Sequence, residues 1–290
     1  MTNALTPSPV QRLPPWFKVR LPGGPNYARV KGLARQQQLH TICEEAHCPN
    51  IGECWEAGTA TFLILGDVCT RACRYCAVTS GRPAGLDLGE PLRLARTVAA
   101  MGLDYVVITS VNRDDVPDGG ASVFAACLRA IRHLRPGTAI ELLIPDFMGS
   151  AAALQTVVHE RPEVLNHNIE TVARLFPRVR HKGDYQRSLT LLAGAKAMAP
   201  TLTTKSGLMV GLGEEEEELI QTFADLREAQ VDVLTVGQYL RPTMKHHPVA
   251  RFYTPDDFSR LAERARDRGF RRVIAGPLVR SSYHAREHVA

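Results

Sequence analysis

The sequence predicts an α/β fold that forms a barrel or partial barrel of six strand–helix units. Short apolar runs alternate with amphipathic segments of helical length from about residue 59 onward. The 290 residues suffice for one barrel-sized domain. Strands that alternate with helices favour a parallel sheet with right-handed crossovers, and such barrels carry their functional residues at the carboxyl ends of the strands.

The N-terminal segment is predicted to be a basic, extended arm. Residues 1–40 contain six Lys or Arg and no Asp or Glu, whereas the formal net charge of the whole chain is +5. Prolines interrupt this segment and exclude the amphipathic helix of a mitochondrial targeting peptide. The arm either meets an acidic partner or lies solvated over the domain. Residues 27–45 are then expected to form a short helix that places Leu33, Leu39 and Ile42 on one side.

Six predicted strands follow, each an apolar run of strand length. They span residues 61–65, 105–111, 139–144, 164–169, 203–210 and 233–240. The predicted helices span residues 92–101, 121–134, 151–159, 186–198, 215–229 and 256–268. Glycines and prolines close these helices, for example Gly102, Pro162 and Gly269. The acidic run 214–218 is expected to be a solvated cap of the fifth helix, where negative charge complements the helix dipole.

The cysteines are clustered. Six of the seven lie between Cys43 and Cys76, and Cys127, alone in an apolar helix pattern, is expected to be a buried inert thiol. The first 20 residues contain no apolar signal region, and no apolar run approaches the ~18 residues of a membrane span. A cytoplasmic location is therefore expected, and clustered cysteines in a reducing compartment indicate metal ligands before disulfides.

The first cysteine trio directly follows the first barrel strand. Cys69, Cys73 and Cys76 form a C-x3-C-x2-C run, and three thiolates can bind three irons of a [4Fe–4S] cluster and leave the fourth open to another ligand. Zinc is the alternative, but a structural zinc site needs four ligands and no fourth donor stands at a matching spacing. With Tyr75 as its aromatic residue, the run resembles the signature of the radical S-adenosylmethionine (SAM) superfamily.

The second trio, Cys43, Cys48 and Cys54, has the spacing C-x4-C-x5-C and is again one ligand short. This spacing resembles the auxiliary-cluster motif of the lipoyl synthase family. The stretch Arg280-Ser-Ser-Tyr resembles the R-S-S-Y motif of that family, which implies that Ser282 is the fourth ligand through its hydroxyl oxygen. Oxygen is a harder donor to cluster iron than thiolate, so this corner is expected to open most easily.

Further stretches resemble the same family over about residues 16–285. They are 39–41, 119–121, 166–171, 205–211 and 235–240. Arg241 departs from the family pattern, in which Gln is expected before the Pro-Thr pair. Within these stretches Asn168, Glu170 and Lys205 lie at predicted strand ends. The resemblance suggests that Asn168 and Glu170 contact SAM and that Lys205 neutralises its carboxylate, although each could instead satisfy backbone groups.

The resemblance implies three regions. These are residues 1–58 with the basic arm and the auxiliary-cluster motif, 59–270 as a partial (β/α)6 TIM-like barrel of the radical SAM type, and 271–290 as a C-terminal extension. It implies two [4Fe–4S] clusters and SAM as cofactors, and the insertion of sulfur at carbons 6 and 8 of a protein-bound octanoyl-lysyl group. The implied partners are octanoylated lipoyl carrier domains (2-oxoacid dehydrogenase E2 subunits and the glycine cleavage H protein) and an electron donor such as ferredoxin or flavodoxin, with no nucleic acid and no membrane.

Two alternatives remain at this stage. The chain could be another sulfur-inserting radical SAM enzyme, such as a biotin synthase or a methylthiotransferase, or a non-catalytic metal-binding module.

Three weaker patterns are discounted. Residues 211–216 lack the third glycine of a dinucleotide fingerprint. The H-x-x-E-H pattern beginning at His284 lies too close to the C-terminus to supply a further zinc ligand. His246 and His247 are expected to be a substrate-rim or structural pair.

Overall fold

The computed structural model describes residues 12–19, 21–57 and 59–288. The first eleven residues of the predicted basic arm, with Pro7 and Pro9, and also Arg20 lie outside the described residues. None of the helices in the described part is both long and apolar enough to span a bilayer.

In the described part of the chain, eight strands form one sheet whose spatial order follows the chain order. The strands are β1 His40–Thr41, β2 Thr61–Ile64, β3 Tyr105–Ser110, β4 Ala139–Leu143, β5 Val164–Asn166, β6 Thr203–Val210, β7 Val233–Gln238 and β8 Arg272–Gly276. The short strand β1 runs antiparallel to β2, and all neighbours from β2 to β8 run parallel. The order and direction are those of a right-handed β/α succession.

Helices connect the strands, and two one-turn 3₁₀ segments at Phe147–Gly149 and Ala285–His288 complete the described elements. The helices are α1 Pro25–Gln36, α2 Ile42–Glu45, α3 Ile51–Glu56, α4 Glu90–Met101, α5 Ala121–Leu134, α6 Ala151–His159, α7 Phe176–Val179, α8 Tyr185–Met198, α9 Glu216–Glu228 and α10 Pro255–Asp267. Local chemistry sets their ends: a capping box of Thr254 and Asp257 opens α10, and Gly102 with φ 67° closes α4.

The sheet curves around a central cavity. Inward-facing residues from distant strands, Leu63 of β2, Thr109 of β3 and Met209 of β6, line the same space. Strand β8 pairs with β7, and among the described residues no pairing joins it to β1 or β2. The predicted partial barrel is confirmed, and the carboxyl ends of its strands open onto the cavity.

Three expectations need correction. A seventh parallel strand, β8, lies in the segment predicted as a C-terminal extension. The single helix over 27–45 is wrong: Gln38 takes a left-handed φ of 51° and ends α1, and the Thr41 side chain then accepts a hydrogen bond from Glu44 N and starts α2. Glu214 is not solvated. It is 9% exposed, and its carboxylate accepts hydrogen bonds from two backbone amides of the loop after β6.

Candidate active site

A cavity of about 470 Å³ lies at the carboxyl ends of the strands. Most of the predicted site residues line it. They are Cys43, Cys48, Cys69, Cys73, Tyr75, Cys76, Asn168, Glu170 and Ser282. Cysteines that are distant in the chain, from both trios, therefore face one space, while Cys54 and Lys205 do not line it.

Backbone contacts fix the loop that carries the first trio. Cys69 is buried, and its Sγ accepts hydrogen bonds from the amide N–H groups of Arg71 at 3.4 Å and Asn112 at 3.3 Å. The Thr70 amide donates to the carbonyl of Asn112 at 3.0 Å. The loop is thereby attached to the end of β3, and the amides already point at the sulfur where negative charge would reside. Hydrogen bonds to the ligand sulfurs are among the contacts that tune iron–sulfur sites.

Arg71 anchors the same loop from behind. Its guanidinium donates two hydrogen bonds of 2.9 Å to the carboxylate of Asp114, from Nε and Nη2. It donates two more to the carboxylate of Asp146, at 2.5 and 3.0 Å. The side chains of Arg71 and Asp146 are 1% and 0% exposed. Although burial alone would raise it, the pKa of Asp146 is held well below its usual range, chiefly by Arg71. This buried ion-pair group joins the cysteine loop to the ends of β3 and β4.

The pair His246 and His247 also supports this loop. His246 Nε2 lies 3.0 Å from the carbonyl oxygen of Cys76, and the His247 amide donates to the carbonyl of Arg74 at 2.8 Å. Since a carbonyl oxygen only accepts, Nε2 of His246 carries the hydrogen. Of the two roles considered for this pair, these contacts support the structural one.

The polar end of the cavity contains Tyr75, Asn168 and Glu170. Glu170 follows β5 with a left-handed φ of 70°, and its backbone bonds to β6 through Gly207 and Met209. Burial raises the pKa of the Glu170 carboxyl, and Arg180 opposes this rise. A left-handed φ at a non-glycine residue is uncommon and concentrates at functional sites.

Three buried polar atoms at this cavity have no hydrogen-bond partner among the described residues. They are Ser110 Oγ, Asn112 Oδ1 and Asn168 Oδ1. Buried polar atoms of this kind call for a ligand or ordered water. Together with Glu170 they offer acceptors to a ligand that carries ammonium and hydroxyl groups, as SAM does.

Besides Arg71 and Arg241, two further arginines line the cavity, and the sequence analysis assigned them no role. Arg180 is 8% exposed and donates to the carbonyl of Asn168 at 2.6 Å. Burial lowers the pKa of Arg280, while Cys48 and Glu170 act to raise it. Arg280 belongs to the R-S-S-Y stretch and could have been proposed from that motif, whereas nothing in the sequence singles out Arg180. Both supply positive charge where thiolates and carboxylates gather.

The second trio lies at an adjoining cavity of about 270 Å³, which is lined by Cys43, Cys48, Cys54 and Ser282. Helices α2 and α3 carry Cys43 and Cys54, and Ser282 follows β8. The Asn50 side chain donates to the carbonyl of Leu278 at 2.7 Å and so joins the two segments. All four predicted ligands therefore face one small space, although 228 residues separate Cys54 from Ser282.

The six cysteines fit the expected iron–sulfur groups chemically, and all are free thiols. Burial is the main cause that raises the pKa to about 11 for Cys43 and Cys73 and to about 12 for Cys54 and Cys76. These four thiols are thus neutral near pH 7, and binding of iron must release their protons. Among the described residues, no three Cys, His, Asp or Glu side chains are close enough to hold a single metal ion.

The structure does not bring Lys205 to the predicted SAM position. Its Nζ lies 2.9 and 3.2 Å from the Glu141 carboxylate inside the barrel, and both side chains are 0% exposed. Tyr105 and Asn166 donate to the same carboxylate at 2.6 and 2.9 Å. The strand-end pattern was misleading because Lys205 is the third residue of the eight-residue strand β6, near its amino end, whereas the cavity lies at the carboxyl ends of the strands.

The remaining singled-out residues have ordinary surroundings. Cys127 is fully buried on α5, as expected. Arg241 lines the large cavity, and its Nε donates to the carbonyl of His246 at 2.9 Å. His284 bonds to the carboxylates of Glu53 at 3.0 Å and Glu287 at 2.9 Å.

Comparison with known proteins agrees with this geometry. Residues 63–226 match the radical SAM superfamily, and residues 4–48 match the N-terminal domain of lipoyl synthase of the radical SAM family. Among solved structures, the chain resembles Streptococcus suis SuiB bound to S-adenosylmethionine, with a TM-score of 0.58 and 12% identity over 87% of this chain and 56% of SuiB. It also resembles the FeFe-hydrogenase maturase HydG from Carboxydothermus hydrogenoformans, with a TM-score of 0.56 and 14% identity over 87% of this chain and 73% of HydG. At these identities the structural likeness establishes the fold alone.

Curated relatives are much closer in sequence. The chain is 59% identical to the lipoyl synthase of Rubrobacter xylanophilus over 94% of this chain and 85% of the relative. It is 55% identical to the lipoyl synthase of Thermus thermophilus over 96% of this chain and 87% of the relative. The alternatives of another sulfur-inserting enzyme or a non-catalytic module are not favoured by these relatives. Identity at this level over nearly the whole length, on a radical SAM barrel whose cavity is lined by cysteines of both trios, establishes that the chain belongs to the lipoyl synthase family.

Proposed function

We propose that the two cysteine trios divide the work of the lipoyl synthase reaction, which inserts two sulfur atoms at carbons 6 and 8 of a protein-bound octanoyl group. Cys69, Cys73 and Cys76 would hold the [4Fe–4S] cluster that binds SAM. Cys43, Cys48, Cys54 and Ser282 would hold the auxiliary [4Fe–4S] cluster. The single observation that carries this assignment is that cysteines of both trios and Ser282 line the same cavity.

The bound cofactors supply the hard chemistry: an electron that cleaves SAM, hydrogen abstraction from unactivated carbons, and the sulfur that is inserted. The protein supplies binding, orientation and exclusion of water. Tyr75, Asn168 and Glu170 surround the position proposed for SAM, and Arg180 and Arg280 offset the negative charge of thiolates and carboxylates at the cavity.

The apolar part of the cavity suits the octanoyl chain. Its apolar lining residues come from several strands and the loops after them. They include Leu63, Val111, Leu143, Ile144, Met209 and Leu240. Each buried CH₂ of the substrate contributes about 0.8 kcal/mol to binding, so burial of an eight-carbon chain between the trios is favourable. A dry lining also keeps water away from a reactive carbon.

Ser282 would be the corner of the auxiliary site that opens. A serine hydroxyl is a harder and less well matched donor to cluster iron than thiolate. The segment that carries it is separate in sequence from the helices that carry the cysteines.

The proposed partners follow from the substrate. Octanoylated lipoyl carrier domains, namely 2-oxoacid dehydrogenase E2 subunits and the glycine cleavage H protein, would present the octanoyl-lysyl arm while the carrier remains outside. A basic rim would help an acidic carrier dock. A ferredoxin or flavodoxin would donate electrons, and the reaction would take place in the cytoplasm, where cysteines stay reduced.

Two substitutions test the assignment of Ser282. We expect Ser282→Ala and Ser282→Cys to lose formation of the doubly thiolated product in anaerobic turnover with an octanoyl-lysyl peptide, SAM and reductant, read by mass spectrometry. Wild-type rates in both variants would overturn the assignment.

Iron content provides an independent readout: about eight irons per chain for the native protein and about four after replacement of either trio by Ala. Zinc alone in the native protein would contradict both cluster assignments.

A further inference from the structure

The small cavity of the second trio has an outer rim formed by the C-terminal segment. Beyond Ser282, this rim includes the exposed residues His284, Arg286 and Glu287. Glu53 of helix α3 and Ala57, the residue that follows this helix, complete it. The site of the second trio thus faces the large cavity on one side and solvent on the other.

The bonds that close this rim converge on one carboxylate. Tyr283 donates its hydroxyl hydrogen to Glu53 Oε1 and Oε2 at 3.1 and 3.2 Å, and His284 Nε2 lies 3.0 Å from Glu53 Oε1. Glu53 immediately precedes Cys54 in α3, and Tyr283 immediately follows Ser282. These contacts, which we term the Glu53 latch, join the segment that carries Cys54 to the segment that carries Ser282.

The latch is weaker than the contacts that hold the C-terminal segment before Ser282. The side chains of Glu53 and His284 are 43% and 39% exposed, so solvent screens their attraction. Before Ser282, by contrast, the C-terminal segment is fixed internally: Asn50 donates to Leu278 at 2.7 Å, and Gly237 packs closely against the Val279 carbonyl. Local opening draws on such weakly held segments, so the turn after Ser282 is the part that opens first.

The small cavity brings charged side chains next to the thiols. Glu53, Arg280 and Glu287 line it together with Cys43, Cys48 and Cys54. Its volume of about 270 Å³ holds several waters and small ions. A passage that leads to thiols and carries charged side chains is suited to ferrous iron and sulfide.

We propose that the small cavity is a separate access route to the auxiliary site for iron and sulfide, closed by the Glu53 latch. This rests on the proposed function, in which sulfur leaves with each product and must be replaced. Supply from the solvent side leaves the SAM and octanoyl positions undisturbed. Glu53, Tyr283 and His284 are then positioning residues, because they act through the segment that carries Ser282.

The first test measures access in the full-length chain after anaerobic removal of iron. Iodoacetamide modification of each cysteine is followed by mass spectrometry in Glu53→Ala and His284→Ala, which break the latch from opposite sides. Asp225→Ala is the matched control, because Asp225 on α9 also accepts a tyrosine hydroxyl hydrogen, from Tyr185 at 2.7 Å, away from both trios. We expect Cys54 to react about 5-fold faster in both latch variants, the factor that corresponds to an exposed polar contact.

The control variant and the first trio should keep wild-type rates. An unchanged Cys54 rate in both latch variants would overturn the proposal. An equal increase at Cys69, Cys73 and Cys76 would also overturn it, since general loosening of the fold would then explain the result.

The second test measures loading with Fe²⁺ and sulfide, by iron analysis and visible absorbance, in a chain whose first trio is replaced by Ala. The latch variants should load about 5-fold faster than the same chain with an intact latch. Loading at an unchanged rate despite faster labelling would overturn the access route and leave the cluster ligands standing. Failure of the intact-latch chain to bind iron would instead refute the auxiliary ligand assignment, and the labelling result would still decide whether the latch closes the cavity.

Discussion

Replacement of Arg71 by methionine removes the charge that anchors the first cysteine loop but keeps a side chain of similar length. In the native chain the guanidinium serves two carboxylates, and the one on Asp146 is fully buried. After the change Asp146 keeps Arg187 at 3.2 Å, whose side chain is 28% exposed, and the Met148 amide at 3.1 Å. Loss of one partner from a buried ion pair costs about 3–5 kcal/mol. Because Arg187 remains, we expect a loss at the lower end of this range, about 3 kcal/mol in the free energy of unfolding.

Urea unfolding of the iron-free chain, followed by circular dichroism, measures this loss directly. Arg135→Met is the control, since it removes an exposed pair with Asp104 and should change the unfolding free energy by no more than about 0.5 kcal/mol. Iron analysis of Arg71→Met should show loss of the first trio's share, about four irons. A stability loss below about 1 kcal/mol with full iron content would refute the view that this buried ion-pair group positions the loop.

Three further outcomes follow from buried groups. Burial lowers the pKa of His167 to about 3, below the ~6.5 of an unfolded chain, so its contribution is complete above about pH 6.5 and is lost as the pH falls toward 3. In urea titrations, the unfolding free energy of His167→Gln should therefore rise less steeply with pH between about pH 4 and 6, by up to about 1.4 kcal/mol per pH unit. An unchanged dependence on pH would contradict the lowered pKa of His167. Lys205→Met should destabilise the fold by about 3 kcal/mol, because it leaves the buried carboxylate of Glu141 without its cation. The affinity for SAM, measured by equilibrium dialysis, should not change, and a 10-fold weaker affinity would show that Lys205 belongs to the SAM site. Gly237→Ala places a methyl 2.1 Å from the Val279 carbonyl oxygen and should cost about 1–3 kcal/mol in thermal unfolding, while wild-type stability would show that the C-terminal segment yields freely.

The barrel could be predicted from sequence because its signals are local. The predicted helices 121–134 and 151–159 match α5 and α6 to the residue, since apolar periodicity and flanking Gly, Pro and Ser define both ends. Strand β8 was missed because its apolar run, residues 273–275, is short and directly follows Arg271 and Arg272, which weakens the apolar signal. The break at Gln38 was missed because a left-handed residue other than glycine or asparagine leaves little trace in a sequence.

The cysteine ligands could be identified for a different reason: their spacing is a chemical requirement that is visible in the chain. At the cavity, Arg280 could have been identified from the R-S-S-Y motif, but Arg180 could not. Arg180 reaches the cavity from the segment after α7, through a fold that no local pattern encodes. Lys205 shows the converse error, because a charged residue in a strand indicated a ligand contact, and the barrel instead buries it against Glu141.

The most direct test of the shared cavity is one anaerobic incubation of the iron-loaded protein with an octanoyl-lysyl peptide, SAM and reductant, with the peptide analysed by mass spectrometry over time. We expect a species with one added sulfur to appear first and a species with two to follow, and neither to form when Cys54 or Cys73 is replaced by Ala. An iron-loaded protein that cleaves SAM but leaves the octanoyl chain unchanged, or a Cys54→Ala variant that still adds two sulfur atoms, would contradict the division of work between the two trios.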